Sequence, residues 1–436
     1  MIQILIITYY WPPAGGPGVQ RVLKFVKYFP EFGITPIVLT VQDGDYPALD
    51  ESLLKEIPEG ITVKRVRGWE PYNLFRFLTG KSKQEKIPVG ILSSDRTTLT
   101  GKISRWVRLN LFVPDGRRFL IRPFIKAGIG LAKGNKIDCI LSSGPPHSLH
   151  LAALKISEYL KIPWIADFRD PWTKIYYYQD QPRSKVALII DQRLEKRVLM
   201  TANAVVTVSS AIADQLTSLV KRPECRTIPN GFDANDFSGR SLKVQRDKFR
   251  ITYVGNLMTN QNIQGLWKII SELINEDQKF RSQLQLVFVG NIHPCVMDSL
   301  KNASLMSLTD THNYVPHTKA IDYMHETSIL LFIIPDVPDN KGIVTGKLFD
   351  YLASGRPLLA IGPPDGDAAK ILAETKAGPM IDPHDKEGLK SRIKKLYKLW
   401  INDQLQLEQP DPSKVARYER KMLTKQLADM VHQLVK

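Results

Sequence analysis

Acidic residues are in short supply. Against 60 lysines and arginines stand 44 aspartates and glutamates, a formal net charge of +16, and a surplus of that size calls for a partner of opposite sign. Cysteine is scarcer still. Cys139, Cys225 and Cys295 are isolated, odd in number and without metal-ligand spacing, which excludes a disulfide framework and a zinc ribbon and fits a reducing cytoplasm. Long apolar runs are missing too. The longest, Ile329 to Ile334, falls far short of the ~20 residues that span a bilayer, and Met1 to Tyr10 has neither a basic n-region nor a cleavage site. Neither a membrane span nor export is expected. Two nucleotide signatures are absent as well: there is no GxGxxG, and the Thr345-Gly346-Lys347 turn has Lys341 and Leu348 where a P-loop needs Gly and Ser or Thr.

What remains is ordinary for a globular chain, with hydrophobic residues at 43% and charged ones at 24%. A length of 436 residues is too great for one core and predicts two domains of about 200 residues each. Short β-rich runs alternate with helix-period segments, the pattern of parallel βαβ units in an α/β fold. In the first half the strands read "IQILIIT", "TPIVLT", "DCILSSG", "PWIADF" and "AVVTVSS"; in the second, "RITYVGN", "LQLVFVGN", "ILLFIIP" and "PLLAIG". Helices are expected over Val19 to Phe29 and Ser148 to Leu160. "TIPNGFDANDF", from Thr227 to Phe237, separates the two series and marks the junction, giving domains 1–228 and 229–436. A basic amphipathic segment over about residues 413–435 is expected to close the chain as a helix.

The excess charge is concentrated. From Leu99 to Lys136 nine basic residues, among them Arg105, Arg108, Arg117 and Arg118, face one acid, Asp115, and Trp106, Leu111, Phe112 and Phe119 lie between them. Such a stretch suits an anionic membrane surface, where cations meet head groups and aromatic rings enter the interface. A helical pair with a core face and a solvated basic face is the plainer reading. Nucleic acid is disfavoured, because no helix-turn-helix, zinc finger or RNP aromatic pattern accompanies the charge.

Two doubly wound sheets would gather the carboxyl ends of their strands around one cleft, so chemistry is sought in the turns that follow strands. After the first strand, Gly15, Gly16 and Gly18 let backbone amides approach an anion at the start of a helix. In "SSGPPHSLHLAAL" His147 stands just beyond a strand end, placed to move a proton or bind a sugar hydroxyl. In "WIADFRDPWT" Asp167, Arg169 and Asp170 cluster where charges need a purpose, although Asp170 before Pro171 also reads as a helix N-cap. In "GIVTGKLFDYLASGRPLLAIG" Thr345 reads as an N-cap, Gly346 and Lys347 begin a helix, and Gly355 ends it. The helix amides and the Lys347 ammonium make an anion site needing no metal, and Asp350, one turn on, is placed for a ribose diol.

These segments, with "IPNGFD" and "YVGNL", resemble glycosyltransferase family 4, of the GT-B fold. The resemblance runs from residue 9 to residue 362. It implies two Rossmann-like domains facing a central cleft, with a sugar nucleotide held mainly by the second and an acceptor by the first. It also implies transfer with retention of configuration, and a terminal helix that crosses back to the first domain. By position it sets Gly15 and Gly16 against the donor phosphates or sugar, His147, Arg169 and Asp170 at the reaction centre, and the base near Asn291 and the Val315-Pro316-His317 turn. Thr345, Gly346 and Lys347 take the diphosphate and Asp350 the ribose.

Three departures stand out. Gly342 occupies the place of the first of the two acids common in the family, with Asp339 or backbone amides as substitutes. Asn256 replaces the usual arginine after the first strand of the second domain, and the Asn260-Gln261-Asn262 run is neutral. Phosphate neutralisation then falls more heavily on Lys347, or on Arg21 or Arg169. The expected function is a hexosyl or related transferase, without metal or cofactor, that builds cell-surface polysaccharide such as lipopolysaccharide or capsule. It acts on a glycan or lipid-linked acceptor from the cytoplasmic face of the plasma membrane, with Arg21, Arg105, Trp106 and Arg108 on the acceptor or membrane side. The alternatives are a catalytically impaired sugar-nucleotide-binding subunit and a GT-B epimerase.

Overall fold

The structure is a computed structural model that describes residues 1–46, 48–68, 99–175, 178, 181–220, 225–239 and 246–436. The chain divides into two compact units, Met1–Pro229 with Leu423–Lys436, and Asn230–Met422. Among the described residues no helix is long and apolar enough to cross a membrane.

The first unit holds a seven-stranded sheet in the order β3-β2-β1-β4-β5-β6-β7, every pairing parallel. Its strands are β1 (Ile2–Ile7), β2 (Ile34–Val41), β3 (Thr62–Val66), β4 (Cys139–Gly144), β5 (Trp164–Phe168), β6 (Ala204–Thr207) and β7 (Cys225–Thr227). The helices of eight residues or more are α1 (Pro17–Tyr28), α2 (Leu99–Leu111), α3 (Ile121–Ala132), α4 (Ser148–Leu160), α5 (Lys185–Thr201) and α6 (Ser210–Val220).

Both faces of this sheet are covered, which is why its inner strands read as continuous apolar runs. Ile4 and Ile6 of β1 pack in one core with Val19, Val22, Leu23 and Val26 of α1, while Leu5 and Ile7 turn to the other, with Phe124 of α3 and Leu149, Ala152 and Ile156 of α4. The spacing of the α1 set is that of one helix face, and each such side chain contributes about 1.5–3 kcal/mol on burial.

The second unit repeats the scheme with six parallel strands in the order β10-β9-β8-β11-β12-β13. These are β8 (Phe249–Val254), β9 (Leu284–Val289), β10 (Thr309–His312), β11 (Ile329–Ile333), β12 (Leu358–Ile361) and β13 (Met380–Ile381). Its helices of eight residues or more are α7 (Gln264–Glu276), α8 (Pro294–Asn302), α9 (His317–Glu326), α10 (Gly346–Ala353), α11 (Asp367–Glu374) and α12 (Lys386–Ile401). Leu266, Trp267 and Ile270 of α7 and Ile393 and Leu396 of α12 cover one face; Leu348, Phe349 and Leu352 of α10 cover the other. In each sheet the strand order reverses beside its first strand, between β1 and β4 and between β8 and β11. Open α/β sheets bind ligands at such points.

The nine strands expected from the sequence all form. The four it did not show, β3, β7, β10 and β13, are the edge strands of the two sheets. β3 buries only one of its residues and β10 none, so they lack the apolar run that marks a buried parallel strand. The terminal segment differs from expectation. It is not one helix: Pro412–Val415 and Ala416–Tyr418 form separate short turns before α13 (Arg420–Val435). The break has a local cause, since the Phe232 amide donates to the Tyr418 carbonyl at 3.1 Å and the Arg420 amide to the Phe232 carbonyl at 2.7 Å. Those bonds draw Glu419 into a parallel bridge with Phe232 and off the helical path. From Leu423 onward α13 belongs to the first unit, and Leu423, Leu427, Ala428, Met430 and Val431 join the core of α1 and β1.

Candidate functional site

In the first unit the candidate residues lie after β1, β4 and β5. Gly16, at φ 99°, is the N-cap of α1, a conformation that disfavours any residue with a Cβ. It is exposed, whereas Gly15 is buried and its amide donates to the Ala48 carbonyl at 2.9 Å. The Gly15 amide is therefore spent on the fold, and Gly16 is the exposed member of the pair. Gly18 serves a different neighbour: a Cβ there would stand 2.0 Å from the Arg169 guanidinium, which also lies over the Tyr10 ring at 5.5 Å.

Arg21, expected on the acceptor side, is fully buried. Its guanidinium holds the Asp167 carboxylate through Nε and Nη2 at 2.8–3.2 Å, and Nη1 donates to the Ile228 and Pro229 carbonyls at 2.8 and 3.0 Å. Ser143 gives Asp167 a further hydrogen bond at 2.8 Å. A buried charge needs such a partner. Arg21 and Asp167 thus consume each other, and both are buried away from the surface.

His147 and His150 begin α4 and stack in an aromatic nest. The His147 ring lies face to face on Trp172, with centroids 4.7 Å apart and planes 5° apart, and His150 stacks on Phe168 at 4.6 Å. Burial holds both imidazoles neutral, His150 down at about 3 and His147 well below its ordinary value; Arg169 pushes both the same way. His147 Nδ1 and His150 Nε2 are buried without a hydrogen-bond partner, and both stand near Gly144, 3.2 and 2.5 Å from where its Cβ would be. His150 Nδ1 is 2.7 Å from Ser142 Oγ.

Asp170 is half-buried and makes no hydrogen bond or ion pair among the described residues. Loss of solvent raises its pKa, against the pull of Arg169. The N-cap expectation fails for it: residues 172–174 form a turn rather than a helix. That turn is tied to α5, because Trp172 Nε1 donates to Asp191 at 2.6 Å and Thr173 Oγ1 to Glu195 at 2.5 Å. Asp191 also pairs with Arg183 at 2.5 Å. Sequence reasoning passed over Trp172, Asp191 and Asp115. The last carried a signal, as the lone acid among nine basic residues: its carboxylate accepts from the Ser148 amide and hydroxyl, both at 2.9 Å, and caps α4 from outside.

Among the membrane candidates Trp106 is exposed and Arg108 half-buried on α2. Arg105 is committed elsewhere. Its Nε donates to Gln181 Oε1 at 2.6 Å, which holds α2 to the segment before α5.

In the second unit Lys347 follows Gly346 at the start of α10. Its ammonium donates to Tyr253 Oη at 2.6 Å and lies 4.0 Å from the centre of that ring. No carboxylate pairs with it among the described residues, and burial lowers its pKa to about 7. Tyr253 in turn donates to the Asn256 carbonyl at 2.8 Å. Gly255, at φ 117°, makes room: a Cβ there would stand 2.9 Å from Lys347 Nζ. Gly290, at φ 124°, presses on the Gly255 carbonyl in the same way, at 2.5 Å. The Gly255 amide bonds the Val289 carbonyl and the Leu257 amide the Asn291 carbonyl, at 2.7 and 2.9 Å. Asn256 and Asn291 are thus exposed side by side at the ends of β8 and β9.

Thr345 takes the N-cap position, yet its hydroxyl does not cap the helix and is buried without a partner. Gly355, at φ 69°, ends the helix as expected. Asp350 is half-buried one turn after Gly346, Pro316 is the exposed N-cap of α9, and Asp339 is exposed in the left-handed region at the turn Asn340–Gly342. Lys347 with the first-turn amides, a cation that lacks an anion, is an arrangement that attracts a phosphate. Among the described residues no group of three or more His, Cys, Asp or Glu is placed to hold a metal ion.

Two family models match the chain, glycosyltransferase family 4 over residues 84–236 and glycosyl transferases group 1 over residues 248–398. The chain belongs to the family 4 glycosyltransferases and has the GT-B fold. Among solved structures it is similar to a sucrose-phosphate synthase from Thermosynechococcus elongatus, with 14% identity, 100% of this chain and 99% of that chain covered, and a TM-score of 0.68. A glycosyltransferase from Rickettsia africae gives 14% identity, 100% and 99% coverage and a TM-score of 0.65. A TarM variant from S. aureus, in complex with fondaparinux, alpha-GlcNAc-glycerol and UDP, gives 10% identity, 99% and 100% coverage and a TM-score of 0.65. No curated protein matches the chain in sequence.

Proposed function

We propose that this glycosyltransferase moves a sugar from a nucleoside-diphosphate sugar to a glycan or lipid-linked acceptor, with retention of configuration, in the synthesis of a cell-surface polysaccharide. The observation that carries the reading is the Lys347 ammonium, set at a helix start against Tyr253 with no carboxylate to neutralise it among the described residues. A diphosphate supplies the missing charge. The TarM structure similar to this chain holds UDP, which supports a nucleoside diphosphate here.

In this reading Gly346, Thr345 and Lys347 take the diphosphate, Asp350 the ribose, and the backbone around Asn256, Asn291 and Pro316 the base. As the bond between the anomeric carbon and the phosphate oxygen breaks, Lys347 and the helix amides offset the charge that develops on the leaving group. The acceptor oxygen attacks from the same face, and its proton passes to the departing phosphate. His147, Arg169 and Asp170 orient the acceptor; the neutral His147 donates or accepts a hydrogen bond rather than carrying charge. No metal enters, so turnover should survive EDTA. The basic segment around Trp106 and Arg108 would keep the enzyme at the inner face of the plasma membrane.

Calorimetric titration with UDP-, GDP-, dTDP- and CMP-sugars tests the donor site. One of them binds if the reading is right, and Lys347→Ala weakens that binding. Binding without transfer to any acceptor would leave a sugar-nucleotide-binding subunit, and release of an epimerised sugar would leave an epimerase.

A further inference from the structure

A helix on a water-bathed surface turns its charges outward and its aliphatic residues inward. α5 breaks that pattern in part, although Ala187, Val198 and Leu199 are buried. Its two acids, Asp191 and Glu195, are buried, held by Trp172, Arg183 and Thr173. Val186, Ile189 and Ile190, by contrast, are 67%, 47% and 44% exposed. Their spacing of three and four residues makes one stripe along the helix. Lys185 precedes the stripe and Arg193, Lys196 and Arg197 follow it, all exposed; Arg197 pairs with the exposed Glu158 of α4 at 3.3 Å, and α5 itself exposes no acid. The start of α5 is fastened to α2: Asn110 Nδ2 donates to the Pro182 carbonyl at 3.0 Å, and the Ser184 amide donates to Asn110 Oδ1 at 2.6 Å.

We infer that the outer face of α5 is a membrane-contacting surface, with Val186, Ile189 and Ile190 entering the acyl boundary of an anionic bilayer and the flanking cations on its head groups. An apolar stripe bordered by one sign of charge is what an interfacial helix needs. A second copy of the chain fits less well, since a two-fold contact across this face would set Arg193 and Lys196 against their own equivalents. The inference deepens the membrane reading proposed for α2 and names a second element that makes the attachment.

Co-sedimentation of the full chain with vesicles tests it, comparing phosphatidylcholine alone with phosphatidylcholine containing phosphatidylglycerol. Two variants separate the elements: Ile189→Gln with Ile190→Gln on α5, and Trp106→Ala with Arg108→Ala on α2. The wild type should bind only the anionic vesicles. The α5 variant should partition about tenfold less at an unchanged melting temperature. Loss of binding in the α2 variant alone would overturn the α5 inference and leave the α2 reading standing; no binding by the wild type would overturn both. A wild-type dimer that the α5 variant dissociates, with vesicle binding intact, would assign the stripe to a second copy and overturn the inference as well.

Discussion

Buried charge decides most at the scale of single residues. Arg21 and Asp167 are both within 1% of full burial, so Arg21→Met leaves a carboxylate without its cation and should cost about 3–5 kcal/mol in urea unfolding. Lys347 is the opposite case, a cation with no carboxylate partner among the described residues. Its folded-state pKa of about 7 lies below the ordinary 10.5, so in the free protein stability rises as pH climbs from 7 toward 10.5. Affinity for a nucleoside diphosphate moves the other way, falling as pH rises above 7 and the ammonium is lost. Calorimetry at pH 6 and pH 9 reads that difference. His150, held down at about 3, makes the folded state lose ground as pH drops below about 6.5, because the unfolded chain takes up the proton first. Urea midpoints at pH 7 and pH 5 should show the loss, and His150→Gln should reduce it.

Elements carry the site through their ends. The β8 and β9 strands lead into Gly255 and Gly290, and a Cβ at either would meet a neighbour within 3 Å, the Gly255 backbone for Gly290 and the Lys347 side chain for Gly255. Gly290→Ala would strike the Gly255 carbonyl at 2.5 Å, where nothing flexible can yield, and left-handed strain adds about 1–3 kcal/mol. Gly255→Ala meets the movable end of Lys347 instead, at 2.9 Å. Thermal unfolding should therefore rank Gly290→Ala as the more damaging, while a donor titration should find Gly255→Ala the more damaging to affinity.

The α10 helix was legible beforehand in its Thr345 position, its Lys347 and its Gly355 stop, since caps and stops are local chemistry. Tyr253 was not, because nothing in "RITYVGN" separates a tyrosine that meets a lysine from one that packs in a core. The Trp172 turn shows the same limit: its partners Asp191 and Glu195 come from a helix over a dozen residues away, and Asp170 loses its capping role for want of a helix to cap.

For the whole molecule the buried parallel strands were readable and the edge strands were not, since only the former carry continuous apolar runs. The division near Pro229 fell close to the Pro-Asn-Gly turn, but the split of the terminal segment came from a backbone pairing with Phe232 that no pattern announces. α13 puts five apolar residues into the first unit's core. Removing residues 423–436 exposes a surface whose burial rivals the ~5–15 kcal/mol stability of a typical domain. The truncated chain should aggregate or lose its cooperative thermal transition.

The central claim is that Lys347 and the start of α10 hold a nucleoside diphosphate, and titration of UDP, GDP, dTDP and CDP into wild type and Lys347→Ala tests it most directly. One of the four should bind the wild type, and the variant should lose about 1.5–3 kcal/mol, roughly a 10- to 100-fold weakening. Equal affinity in both proteins, or no binding by the wild type, would contradict the account.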